Sequence, residues 1–123
     1  MSDIIDINEI KKILQQFATI REWNKFHTPK NLAMALAAES GELLEIFQWL
    51  NEAESISSCH HTSYRERTRN ELADIIIYAI RIADMMGINL NQAIHDKIAI
   101  NNLKYPADLV KGSVEKYDEY HTD

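Results

Sequence analysis

Four acidic residues fall into two pairs of equal spacing, Glu39 with Glu42 and Glu71 with Asp74, each pair one helical turn apart. Hard cations take oxygen ligands. Two helices that each present such a pair inward can surround one or more ions with carboxylates and leave positions for water and phosphate oxygens. The expected ion is Mg²⁺, with Mn²⁺ able to substitute. On a helical wheel Glu39 falls in the middle of the stripe made by Leu32, Leu36, Leu43, Ile46 and Leu50. Desolvating an unpaired carboxylate costs far more than a leucine there would gain, so the position requires a cation, a hydrogen-bond network or a proton. Glu42 lies at the edge of the stripe. Asp74 leads directly into Ile75, Ile76 and Ile77, and Tyr78 shares a face with Glu71 and Asp74. Without a metal the four carboxylates repel one another, which predicts partial protonation of the empty site.

Other chemistries fit these residues less well. A di-iron bundle uses Glu-x-x-His pairs, and none of His27, His60, His61, His95 and His121 has a glutamate three residues before it. His60 and His61, beside Cys59, read as part of a solvated loop. There is no glycine-rich phosphate loop and no nucleophile elbow. With no protein nucleophile next to a base, direct attack by an activated water remains, and either Glu39 or Glu42 could take its proton. Lys97, Asn101 and Lys104 stand at i, i+4 and i+7 and share a face that could touch phosphates; a solvated basic ridge has the same spacing. Trp23, Phe26, His27, Phe47 and Trp49 could hold a nucleobase by stacking, with a directed hydrogen bond from His27. Core packing is the competing reading, above all for Phe47.

The elements that must position these residues are helices. Only three Gly and two Pro interrupt the chain, and its apolar residues recur at three and four positions. A first helix is expected from about Asn8 to Trp23, capped by Asp6 or Asn8. A second runs from Pro29 or Lys30 to Asn51 and carries the first acidic pair. Glu52 to Thr62 reads as a loop, with Ser63 capping a third helix from about Tyr64 to Met86 that Gly87 stops. A fourth covers Asn89 or Leu90 to Lys104, and Pro106 prevents its continuation. The third helix is apolar on almost every side, since only Tyr78 and Arg81 are polar between Ile75 and Ile82. It demands more than one neighbour.

Composition bounds the function. The 123 residues, 46% hydrophobic and 26% charged, fit one domain over 1–123, with a helical core at about 8–105 and a polar tail at about 110–123. A formal charge of −6 and the lack of a basic run argue against a general nucleic-acid binder. The single cysteine provides no disulfide framework, and no signal peptide or membrane span is evident, so a cytoplasmic location is expected.

The stretches EWNKFHTPKNLAMAL, AESGELLEIFQW, NELADIIIYAIRIAD and KIAINNLKYPADLVKGSVEKY together resemble the all-α nucleoside triphosphate pyrophosphohydrolases of the MazG-like branch, in particular the dCTP pyrophosphatase subgroup. The resemblance covers about Phe17 to Tyr117. It implies an oligomeric all-α four-helix bundle that hydrolyses deoxynucleoside triphosphates, dCTP or relatives, to monophosphate and pyrophosphate. The family's ExxE and ExxD motifs fall on Glu39, Glu42, Glu71 and Asp74 as Mg²⁺ ligands. The resemblance further implies Trp23, His27 and Trp49 near the base and Tyr78 near the sugar or phosphate. It sets Lys97, Asn101, Lys104 and Tyr105 at the phosphate end, in a homotetramer built as a dimer of dimers with sites between subunits. Leu50 and the run Asn102-Leu103-Lys104 stand where dCTP-cleaving relatives often carry basic residues. Hydrolysis of dUTP or phosphoribosyl-ATP is the alternative within the superfamily, and a non-catalytic helical oligomerisation or regulatory module is the alternative outside it.

Overall fold

In the computed structural model, which describes residues 3–114, the chain forms α1 (Ile7–Ile20), α2 (Pro29–Phe47), α3 (Glu52–Ser58), α4 (Thr62–Met85), α5 (Leu90–Lys104) and α6 (Ala107–Val110). No strand occurs among the described residues, so the expected all-α class holds. Two short helices accompany the four long ones: α3 lies between α2 and α4 in the chain, and α6 follows α5. The part of the expected polar tail beyond residue 114 lies outside the described residues. The chain divides into two compact units, one up to Ile88 and one from Asn89.

Short polar side chains start the helices. Asp6 accepts the Glu9 N–H at 3.1 Å, Thr28 that of Asn31 at 3.2 Å, and Asn89 that of Gln92 at 3.0 Å. Each satisfies a donor that the helix itself leaves orphaned, worth about 1 kcal/mol. Pro29 occupies the first turn of α2, where a missing N–H costs nothing.

The segment from Glu52 to Thr62 is not the expected loop. Asn51 accepts the Glu54 N–H at 2.8 Å while Glu54 accepts the Asn51 N–H at 2.9 Å, a reciprocal cap that nucleates α3. Because Asn51 caps the next helix, α2 ends at Phe47 rather than reaching Asn51. Ser63 is not the cap of α4 either; the helix already begins at Thr62, with His61 in the cap position and no side-chain bond there.

α1 and α4 end in the same way. Glu22 and Trp23 donate to Thr19 and Ala18 at 3.1 and 2.9 Å, and Gly87 and Ile88 donate to Asp84 and Ala83 at 3.2 and 2.8 Å. This double closure needs one residue in the left-handed region, which Glu22 (φ 55°) and Gly87 (φ 65°) supply. It stops α1 at Ile20, short of the expected Trp23, and puts Trp23 and His27 in the connection to α2.

Within the first unit α2 packs along α4, and α1 also packs on α4. Ala18, Leu32, Ile46, Ile80 and Ala83 are its buried hydrophobic residues, and Ile80 is the large side chain that is fully enclosed. The core is therefore thin. In the second unit α5 carries Leu90, Ile94, Ile98, Ile100 and Leu103 around its circumference, and none of its residues is buried. Among the described residues no helix is long and apolar enough to cross a membrane.

Candidate functional site

The packing of α2 along α4 brings the two acidic pairs together. Glu39 sits on the inward stripe of α2, between buried Leu32 and buried Ile46, and is itself half-buried. Glu71 and Asp74 are half-buried on α4, while Glu42 is exposed, which leaves the group open to solvent on its side. One carboxylate oxygen from each of Glu39, Glu42 and Glu71 lies within 4.8 Å of the other two. Asp74 stands outside that trio, yet its charge acts on both Glu39 and Tyr78.

Electrostatics show how uncomfortable this arrangement is. The Oε2 atoms of Glu39 and Glu71 are sealed from solvent and have no hydrogen-bond donor. If both groups are ionised, two lone pairs are orphaned; a proton on Glu39 turns them into a hydrogen bond. Proton sharing with Glu71, then with Glu42, followed by burial and the charges of Glu42 and Asp74, raises the Glu39 carboxyl from 4.5 to about 7. Tyr78, half-buried beside the acids, is held above the ordinary phenol range by burial first and by Glu39 and Asp74 second. A cation would resolve the conflict as well as a proton does. The donor set is all oxygen and anionic, which suits a hard divalent ion such as Mg²⁺ or Mn²⁺.

A second cluster surrounds the α1–α2 connection. Trp23 and His27 meet edge to face at 6.1 Å and 60°, and Phe17 meets Trp23 at 5.7 Å and 72°. Trp23 keeps 44% of its surface exposed, which leaves a ring available to a ligand. Trp49, in the turn after α2, is 87% exposed and shares no ring contact with Trp23 or His27 among the described residues. The expected base-holding trio is thus brought together only in part within one chain. Phe47 stacks with Tyr64 at 6.4 Å, in keeping with packing, and Phe26 is exposed.

Sequence alone missed a part-buried polar network around Arg81 that meets His27. Arg81 donates to Asn24 Oδ1 at 2.7 Å, to Asp84 Oδ2 at 3.1 Å and to His27 Nδ1 at 3.4 Å, and Gln15 Nε2 donates to Asp84 Oδ2 at 2.9 Å. The signal was present: a permanently charged residue inside an apolar helix must find acceptors, and Asp84 lies one turn away.

Lys97, Asn101 and Lys104 are exposed on α5, as are the other residues of that helix from Asn91 onward, and Tyr105 is its C-cap. They belong to the second unit. Cys59 is an exposed free thiol, and no candidate metal group among the described residues includes it, His60 or His61. His61 instead meets Tyr64 edge to face at 6.2 Å. A separate pocket of about 670 Å³, lined by Phe47, Ser58, Tyr64, Arg65, Arg69 and Leu72 among others, contains none of the four acids.

Comparison with known proteins places the chain in a family. The sequence profile of the MazG-like family matches residues 34–120. The dCTP pyrophosphatase 1 of Homo sapiens is 36% identical over 113 residues, 92% of this chain, and that of Mus musculus is 35% identical over the same length. The chain spans 66% of the length of these two relatives. The crystal structure of a pyrophosphatase from Archaeoglobus fulgidus superposes with a TM-score of 0.76 at 36% identity, covering 86% of this chain and 97% of that one.

Proposed function

The chain belongs to the MazG-like family, and from that premise we propose that it hydrolyses deoxynucleoside triphosphates, dCTP foremost, to the nucleoside monophosphate and pyrophosphate. The observation that carries this reading is the pair of sealed, donorless oxygens on Glu39 and Glu71. A non-catalytic helical module would have no use for them, whereas a metal-dependent hydrolase needs them. Glu39, Glu42, Glu71 and Asp74 would hold Mg²⁺ or Mn²⁺. Such an ion, when bound, lowers the pKa of a coordinated water and screens the charge of the phosphates.

The chain's own groups do the rest. A carboxylate oxygen of Glu39 or Glu42 accepts a proton from the attacking water as its oxygen bonds to the α-phosphorus. The bond from the α-phosphorus to the bridging oxygen breaks, and pyrophosphate leaves with the electron pair. Lys97, Asn101, Lys104 and Tyr105 steady the β- and γ-phosphates, where charge accumulates. Tyr78 stands toward the sugar or the phosphates, and Trp23, His27 and Trp49 hold the base. Since Trp49 is remote from ring contact with the other two, its role suits a site completed by another subunit of a homotetramer. A cytoplasmic location fits an enzyme of the nucleotide pool with a free exposed thiol.

Pyrophosphate release across the common nucleoside triphosphates tests the reading, with turnover of dCTP expected and abolished by chelator. Hydrolysis in ¹⁸O-water should put label in the monophosphate. Label found only in pyrophosphate or orthophosphate would refute attack at the α-position.

A further inference from the structure

Arg81 is buried in α4, with 6% of its surface exposed, between Ile80 and Ile82. A guanidinium cannot shed its proton, so a buried one must be matched by acceptors in the directions of its fork. Three are present. Nη2 donates to Asn24, Nη1 to the Asp84 carboxylate, and Nε to Nδ1 of His27. Asp84 balances the charge and is held in turn by Gln15 from α1. The guanidinium is therefore fixed from α1, from the α1–α2 connection and from its own helix.

The consequence falls on His27. A ring nitrogen that faces an N–H must offer a lone pair, so Nδ1 is bare and the ring proton resides on Nε2. Protonating Nδ1 as well would set one N–H against another beside a cation. Burial, and then the charge of Arg81, hold the imidazole below its ordinary pKa. Nε2 has no hydrogen-bond partner among the described residues and is not one of the side-chain atoms sealed from solvent. His27 thus presents one polar function, a donor, next to the partly exposed ring of Trp23.

The geometry points to Arg81 as a positioning residue that fixes His27 as a neutral Nε2–H donor, and to that donor as a selector of nucleobase edges bearing lone pairs. Cytosine offers two adjacent acceptors, O2 and N3, where uracil and thymine turn N3 into a donor that opposes Nε2–H. Selection of the base rests on the pyrophosphohydrolase reading; the tautomer does not. A bidirectional group at the same place would lose the choice, because it could rotate to meet either edge.

Nitrogen NMR of the full chain, labelled at its histidine rings and recorded at neutral pH, reads the tautomer directly. The parent should show His27 neutral with the proton on Nε2; an imidazolium or an Nδ1–H form overturns the proposal. In Arg81→Gln the single tautomer should give way to a mixture. The KM for dCTP should rise about tenfold, with KM for dUTP and both kcat values changing much less, as expected when one directed hydrogen bond is lost. If Arg81→Gln does not fold, His27→Gln serves, since its amide can donate or accept and should narrow the dCTP-to-dUTP ratio by about the same factor. A ratio unchanged in the folded variant overturns the proposal. If the parent cleaves no deoxynucleotide at all, the proposed function fails, and the parent's spectrum alone then decides the role of Arg81.

Discussion

Glu39 can sit on the inward face of α2 with a proton or with a cation, and the two make opposite demands on pH. Its carboxyl is raised to about 7 in the metal-free fold from an ordinary 4.5. The fold therefore binds this proton more tightly than the unfolded chain does. Its contribution to stability is complete below about pH 4.5 and is lost as pH rises through about 7. Thermal denaturation of the chelated protein should show Tm falling across that window, and added Mg²⁺ should raise Tm more at its alkaline end, where the ligand is ionised. Glu39→Gln should flatten the pH slope; an unchanged slope would assign it to another group. The four acids are also where activity should be most sensitive. Single alanine changes at Glu39, Glu42, Glu71 or Asp74 should each lower kcat/KM about 10²-fold or more, roughly 3 kcal/mol of transition-state stabilisation. Steady-state kinetics should show a smaller loss for Lys97→Ala and Lys104→Ala, because contacts with the leaving phosphates from such exposed positions would be screened by solvent.

At the scale of elements, the helix ends decide where the site residues point. Glu22 and Gly87 perform the same closure at the ends of α1 and α4, with φ near +60° in both. Left-handed backbone costs an L-residue with a Cβ about 1 kcal/mol that glycine avoids. Nothing lies within 4 Å of a Cβ built on Gly87, so Gly87→Ala should act through backbone strain alone. Chemical denaturation should find it destabilised by about 1 kcal/mol. Glu22→Gly should move in the opposite direction by a smaller amount, because glycine also frees the unfolded chain. If Gly87→Ala proved neutral, the closure would not be governing the end of α4.

The whole molecule leaves apolar surface to be explained. On α4 Leu72, Ile76 and Ile77 are 48%, 44% and 37% exposed, and Leu72 and Ile76 lie one turn apart on one side of the helix. A core with so few buried side chains gains from association, and self-complementary apolar faces close into symmetric oligomers. Light scattering should report a homotetramer, and Ile76→Lys should shift it toward smaller species with loss of turnover. A stable, fully active parent monomer at micromolar concentration would refute both the assembly and the sharing of sites.

Much of this was legible without coordinates because helical periodicity is local. The spacing of Glu39 against the α2 stripe, the cap at Asp6, the stop at Gly87 and the extent of α5 all follow from residues within two turns of one another. Even α3 had a local signal, Asn51 followed three residues later by Glu54, which a search for long apolar periods passes over because seven residues hold no such period. What sequence could not decide is which residues from distant parts of the chain meet. Asn24, His27 and Gln15 reach Arg81 and Asp84 across more than fifty residues, and no spacing encodes that contact. Likewise, the acids' types and periods marked them as candidate ligands. Only the packing of α2 along α4 brought Glu39 to Glu71, and the proton sharing with Glu71 and Glu42, with burial behind it, that raises a carboxyl to about 7 is a property of that meeting rather than of the residue.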